Sequence, residues 1–578
     1  MGEEQVATSA GKWLGRQTPL RLRRTSAVVA AGALVAAGLA TFALTSASAG
    51  VTGKNAMSVP NGGVVFKLSH SKTKIKHVVV IFDENVSFDH YFGTYPNATN
   101  ADGTPFQAKP NTPSVNGLTP ALINNNPNAF PPMRLSHSEA LTCDQNHSYG
   151  PEQKADDNGA MDKFEQNTAH DTCTGQPILF GTPGLVMDYY DGNTVTGLWN
   201  YAQNYSMSDN YYDTAYGPSS PGALNLISGD TGAGYAVAPT TTNPTPAQAV
   251  SDPGSVGTVN PATHLGTVYG DIDPFYDQCA DNSHTSTSPL GVMTGKNIGD
   301  LLNAKAVTWG WFQGGFAPSG TANGFAVCGS SHQNIGGIPV QDYVPHHEPF
   351  QYYQSTANPT HAPPSSEAMV GKSDQANHQY DLSWFYKTLQ DGNMPAVSFL
   401  KPPAYQNGHA ANSDPLDEQA FLVNTINQIE QSKFWSTTAI IVTYDDSDGW
   451  YDHQAPPTIS GSADPANDSA PCNTVTAWIS VGEGDRCGYG PRLPLVVISP
   501  YAPANYVSHN LTDQSSVIKF IEQNWLRGEE IGDGSYDTIA GSLDAPGGVL
   551  DFSQPPHKTP VILDPTTGAV VPPSGHHH

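Results

Sequence analysis

Two acidic segments far apart in the chain each follow an apolar run. His77–Phe82 (HVVVIF) leads into Asp83-Glu84-Asn85, and Ala439–Tyr444 (AIIVTY) leads into Asp445-Asp446. Glu84, Asn85, Asp445 and Asp446 offer hard oxygen donors, a set that suits a divalent metal such as Mg, Mn or Ca and is tolerable for Zn. Either segment alone reads as ordinary turn residues at a strand end. Together they gain a shared location, because ligands of open α/β sheets bind beyond the carboxyl ends of the strands.

A nucleophile and a set of cations complete the candidate chemistry. Gly217-Pro218-Ser219-Ser220-Pro221-Gly222 has the form of a helix start, with Ser220 as N-cap and Pro221 in the first turn. A phosphate there meets free backbone N–H groups. Ser219, just before the expected cap, attacks phosphorus if a metal stabilises its alkoxide; helix capping alone also accounts for both serines. His346-His347-Glu348 follows Val344-Pro345, and His147, His378, His409 and His453 sit in polar loop sequence. A protonated imidazole beside a phosphate neutralises charge and protonates a departing alkoxide, work suited to mildly acidic pH. If extended, His346 and His347 project in different directions, one toward substrate and one toward a partner. Lys401, closing the Val397–Leu400 run, is a further candidate for phosphate contact.

These residues need a frame. His77–Phe82, Ala396–Leu400, Ala439–Tyr444 and Leu495–Ser499 are continuous and apolar rather than alternating, which predicts strands of a parallel sheet covered on both faces. Helical spacing appears in Glu418–Phe434 and Ser515–Leu526, and a third helix is predicted from about Pro221. The expected class is α/β, a central mostly parallel sheet with helices on both faces and long loop insertions. Residues 50–550 read as one catalytic domain. The stretch of about 237–289 and the Pro-rich tail 551–578 read as loop excursions.

The 578 residues carry a formal charge of −27. Residues 1–49 read as a secretory signal: Arg16, Arg21, Arg23 and Arg24, an uncharged run from about Ala27 to Leu44, then Ala47-Ser48-Ala49. The pair Arg23-Arg24 also allows a twin-arginine route. Removing that segment, five basic and two acidic residues, leaves −30. Such a surface repels nucleic acid. The expected partner is a phosphate ester, small or a phospholipid headgroup, with no stable membrane span after cleavage. Six cysteines fall into sequence neighbours, Cys143 with Cys173, Cys279 with Cys328 and Cys472 with Cys487, which favours local disulfides in an exported protein; fifteen pairings remain formally open. The His576–His578 run is native or a remnant of a tag, and oligomeric state is not legible.

The blocks Lys74–Gly93 (KIKHVVVIFDENVSFDHYFG), Gly217–Gly229 (GPSSPGALNLISG), Asp342–Phe350 (DYVPHHEPF), Tyr444–His453 (YDDSDGWYDH) and Gly488–Tyr501 (GYGPRLPLVVISPY) resemble the bacterial phosphoesterase family. That family holds acid phosphatases and phospholipases C on a core similar to alkaline phosphatase. The resemblance implies metal ligation by Glu84, Asn85, Asp445 and Asp446, and a covalent phosphoserine at Ser219, itself at the metal. It places His147, His346, His347 and His409 around the phosphate, with Asn158 and Lys401 as further substrate contacts. The chain departs from the family pattern at Val86, where Arg is usual. It fits the acid-phosphatase branch better than the larger phospholipases C, which carry C-terminal β-domains for which the tail after Asp551 leaves no room.

Overall fold

A computed structural model of the chain describes residues 70–572, apart from 172, 174–177, 258, 463, 465, 474–483 and 533. The expected signal segment 1–49 and the His576–His578 run lie outside the described residues.

The four apolar runs become strands of one eight-stranded sheet. In chain order its strands are His77–Asp83 (β1), Ser206–Ser208 (β2), Trp309–Gln313 (β3), Gln379–Asp381 (β4), Val397–Lys401 (β5), Thr438–Tyr444 (β6), Leu495–Ile498 (β7) and Tyr506–Ser508 (β8). The spatial order is β4-β3-β5-β1-β6-β7-β2-β8. Pairing is parallel from β4 through β6 and again between β2 and β8. The mostly parallel sheet is therefore as expected, with one correction: β7 runs antiparallel to both β6 and β2. A continuous apolar run reports burial on both faces and is silent about direction. Val78 to Phe82 and Ala439 to Val442 are fully buried.

The helices that matter for the site are Tyr149–Asp156 (α1), Ser219–Ser228 (α2), Pro415–Glu430 (α3) and Ser515–Trp525 (α4). Asp414 caps α3 through Leu416 N–H and Asp417 N–H, so α3 starts and stops earlier than its apolar spacing predicts. Helix α2 begins two residues before Pro221, with Pro218 at the cap, so Ser219 and Ser220 lie inside the first turn. The expectation of Ser220 as N-cap is corrected by tertiary structure: Asp271 accepts from Ser220 N–H (3.0 Å), doing from outside what a capping side chain does locally.

Among the described residues the cysteines form three disulfides, Cys143–Cys173, Cys279–Cys328 and Cys472–Cys487. An antiparallel pair, Gly234–Val237 with Leu290–Met293, flanks the stretch 238–289. The described end of the tail packs onto α3: Leu563 is buried, and Asn427 exchanges two hydrogen bonds with its backbone. No helix among the described residues is long and apolar enough to cross a membrane.

Candidate active site

Register alone brings the acidic segments together. Asp83 pairs with Tyr444 at the ends of the parallel neighbours β1 and β6, so Glu84-Asn85 and Asp445-Asp446 leave the sheet side by side. Asn85 turns the chain with a left-handed backbone (φ 61°), a conformation Asn tolerates better than most residues. Its N–H donates to Asp445 Oδ1 (3.1 Å), and Val86 N–H donates to the Asp446 carbonyl (3.0 Å). All four ligand candidates are at most 1% exposed.

Buried carboxylates need positive charge. Lys401 supplies part of it: its Nζ lies 2.5 Å from Glu84 Oε1 and 3.3 Å from Asp445 Oδ2, above the Phe82 ring. Burial opposes the ammonium, but Asp445 and Glu84 outweigh it and raise the Lys401 pKa. Lys401, expected at the substrate, is 1% exposed and serves as a counter-ion to the carboxylates because β5 adjoins β1.

One lysine is not enough. Burial, then repulsion from Glu84, raises the Asp445 carboxyl, and burial pushes Asp446 well above the ordinary range. Glu84 Oε2 and Asn85 Oδ1 are buried acceptors without a hydrogen-bond donor. Orphaned acceptors beside two further carboxylates fit a divalent cation with hard-oxygen preference.

The nucleophile candidate reaches the same place. Ser219 is 2% exposed, and its hydroxyl donates to Asp446 Oδ2 (3.1 Å). The turn before it is tied down by Glu152 of α1, which accepts from Gly217 N–H (3.0 Å) and from the Ser447 hydroxyl (2.6 Å). Gly217 adopts φ 132°, open to glycine and strained for other residues. Burial raises the Glu152 carboxyl to about 7.

Four of the predicted histidines surround this cluster. His147 Nδ1 lies 3.1 Å from Asp448 Oδ1, the oxygen that also accepts from Asn85 Nδ2 (3.0 Å). The His409 ring is 6.2 Å from that of His147, and with Asp144 the two place ligand-type atoms within 4.8 Å of one another. Burial works against charge on both rings. Asp446 and Asp448 nevertheless raise His147 well above the usual range, and Asp144 and Glu84 raise His409. His347 Nδ1 contacts Glu84 Oε1; burial, then His346 and Lys401, pushes its pKa well down. His346 lies between Asp271 and Asp273, which overcome burial and raise it to about 9.

The other candidates lie elsewhere. Asn158 is exposed just past α1, at φ 60°. His378 stacks on Trp309 (4.4 Å) and bonds the Trp309 carbonyl, a core histidine lowered by burial to about 4. His453 pairs with Asp89 (2.5 Å) inside a buried network with Asp452 and Arg492. Conversely, sequence reading passed over Asp271, Asp273, Glu152 and Asp448. Of these only Asp448 had a visible signal, its place in the strand-end run.

Two cavities lie beside the flanking histidines. One of 740 Å³ is lined by His346 with Asp252, Asp271, Asp273, Phe275 and Asp281. The other, of 340 Å³, is lined by His147, His170, Pro218 and Tyr269, and again by Asp271. The arrangement is a buried oxygen-donor site beside a serine hydroxyl at a helix start, flanked by three histidines whose neighbours favour the cation, His147, His346 and His409. It can hold a tetrahedral anion and displace one of its substituents.

Comparison with known proteins agrees. The model of the Phosphoesterase family matches residues 75–526. The chain is 23% identical over 462 residues to the non-hemolytic phospholipase C of Pseudomonas aeruginosa, covering 78% of this chain and 54% of that protein, so it spans about half of that relative's length. It is 22% identical over 523 residues to phospholipase C A of Mycobacterium tuberculosis, covering 86% and 81%. Among solved structures it is similar to a protein in the alkaline phosphatase superfamily from Vibrio parahaemolyticus, with 11% identity, 58% and 62% coverage and a TM-score of 0.25. At that score the fold rests on the sheet described above.

Proposed function

The chain belongs to the phosphoesterase family, and from that premise we propose that it is a metal-dependent phosphoric-ester hydrolase, an acid phosphatase cleaving phosphomonoesters through a phosphoserine at Ser219. The observation that carries the reading is the contact between the Ser219 hydroxyl and Asp446 Oδ2 (3.1 Å), at the edge of the orphaned donor set.

Each group has a task. Asp446 orients the Ser219 hydroxyl and accepts its proton. The protonated His147, His409 and His346 offset the charge of the bound phosphate. As the Ser219 Oγ–P bond forms, the P–O bond to the alcohol breaks and an imidazolium delivers a proton to the departing oxygen. Water then attacks phosphorus, its proton returns to the imidazole, and the Ser219 Oγ–P bond breaks as Asp446 gives its proton back to Oγ and phosphate is released. Glu84, Asn85, Asp445, Asp446 and Ser219 would hold a divalent cation, which would supply Lewis-acid charge to this chemistry. Lys401 offsets part of the negative charge of Glu84 and Asp445 from beneath.

A second reading, a phospholipase C or other phosphodiesterase, is favoured by the names of the relatives and by the 740 Å³ cavity beside His346, which has room for a second ester substituent. We assign the protein to an oxidising, extracytoplasmic compartment; the signal-like residues 1–49 and three disulfides support this.

The test compares p-nitrophenyl phosphate, a phosphorylcholine ester and phosphatidylcholine vesicles as substrates. Preference for the monoester supports the acid phosphatase; preference for vesicles moves the assignment to the second reading. Ser219→Ala is expected to lose roughly 10³-fold or more in kcat and to trap no phospho-enzyme on rapid acid quench. Full activity in that variant sinks the nucleophile assignment.

A further inference from the structure

Asp271-Ile272-Asp273 lies within the insertion, yet it is fastened to the active site at three points. Asp271 Oδ1 accepts from Ser220 N–H (3.0 Å), the residue after the nucleophile. The Tyr352 hydroxyl donates to the Ile272 carbonyl and lies 3.3 Å from Ser220 Oγ. Asp273 Oδ1 is 3.3 Å from His346 Nδ1, while Asp271 Oδ2 is 4.0 Å from His346 Nε2. Exposure alternates along the three residues, with Ile272 buried and both aspartates open. That is the pattern of a strand-like segment whose first and third side chains share a face. Ile272 fills the space over Gly291, where a Cβ would come within 3.0 Å of it. The two carboxylates thus bracket one imidazole, one at each ring nitrogen.

We infer that Asp273, assisted by Asp271, is the positioning residue for His346, holding this imidazole oriented and charged as proton donor to the departing alcohol oxygen. The inference rests on the phosphomonoesterase reading above. Asp273 engages Nδ1, which leaves the Nε2 proton for the substrate. Asp271 stands too far from Nε2 to take that proton in a hydrogen bond, yet near enough to favour the cation. The other groups facing the ring are His347, with centroids 4.4 Å apart, and Glu84, which acts from a distance and is already engaged by Lys401. A pKa of about 9 for His346 agrees with this placement. The side chain is 25% exposed and faces the larger cavity, where the alcohol portion of an ester has room. In the forward step Nε2–H protonates the ester oxygen as its bond to phosphorus breaks; in the second step water returns the proton to Nε2.

The experiment follows Asp273→Asn across pH on two monoesters. One is p-nitrophenyl phosphate, whose leaving group needs no proton; the other is an alkyl phosphate, whose alkoxide does. The expected result is a kcat loss of roughly 10²-fold on the alkyl ester against less than about threefold on the aryl ester. The alkaline limb of the alkyl-ester profile should move down by about one pH unit or more. Asp273→Glu should restore the limb, and in a His346→Gln background Asp273→Asn should add no further loss. Equal losses on both esters with an unmoved profile, or full additivity with His346→Gln, overturn the inference. If Asp273→Asn does not fold, Asp271→Asn carries the same test: a limb moved the same way supports the inference and an unmoved one overturns it. A wild-type protein inactive on both esters overturns the phosphomonoesterase reading and this inference with it; an active wild type with an unmoved profile overturns this inference alone.

Discussion

Gly222 of α2 rests directly on the backbone of Asp445: a Cβ placed on that glycine would lie 2.0 Å from the Asp445 carbonyl oxygen. The nucleophile helix and the acidic strand end are in contact through a residue that has no side chain, one turn from Ser219. Gly222→Ala should therefore lever α2 away from β6. Because the obstacle is backbone, the expected cost is about 1–3 kcal/mol of stability and, through displacement of Ser219, roughly 10²-fold in kcat. Thermal unfolding and steady-state kinetics check both; a variant matching wild type in both would show that the contact is not positional.

Asp446 serves Ser219 and the metal candidate together. Asp446→Asn should lower bound metal, measured by elemental analysis of the purified protein, and reduce kcat by roughly 10³-fold. Chelation of the wild type should produce a comparable loss that added divalent cation reverses. Undiminished metal and rate in the variant would remove Asp446 from the ligand set.

Asp448 works one step behind that set. Its Oδ1 accepts from Asn85 Nδ2 (3.0 Å), which leaves Asn85 Oδ1 as the unpartnered acceptor of that amide, and it lies against His147 Nδ1. Asp448→Ala should weaken metal affinity by about 10–100-fold while leaving Glu84, Asp445 and Asp446 in place. A metal titration of the two proteins checks this; unchanged affinity would mean that Asn85 holds its orientation unaided.

The protein should be more stable in mild acid than in mild base. Burial raises Glu430 to about 8, and burial does the same to Asp188. A carboxyl raised in the folded state holds its proton more tightly there than in the unfolded chain. Its stabilisation is fully present below the ordinary carboxylate pKa and is lost as pH rises through about 8. Tm should thus fall between about pH 5 and about pH 8.5. Glu430→Gln should flatten the slope by an amount on the order of a few kcal/mol. A Tm that rises over that range would contradict the assignment.

The parts of the site that were legible before the fold share a physical cause. Continuous apolar runs ending in carboxylates mark strands and what leaves them, and the parallel register of β1 and β6 then places Glu84 and Asn85 against Asp445 and Asp446. Direction is not written in such runs, which is why β7 was expected parallel. Lys401 is ambiguous for a related reason: a lysine at a strand end resembles a substrate contact, and its pairing with Glu84 is visible only once the neighbour strand is known. Asp271 and Asp273 gave no local signal. They lie in a stretch rich in Pro, Thr and Ser, and the histidine they bracket is 73 residues away from Asp273.

None of the six cysteines lies in any of the eight strands. Cys143–Cys173 closes the loop that carries His147, and Cys279–Cys328 fastens the wall beside Asp277 and Asp281. The cross-links thus bear on the pocket rim more directly than on the strands themselves. A chain kept reduced should retain its sheet and be a poorer catalyst than the oxidised chain. Activity should fall under thiol reductant while the far-ultraviolet signal of the sheet holds, so oxidation would act as the last step of maturation rather than as a general staple.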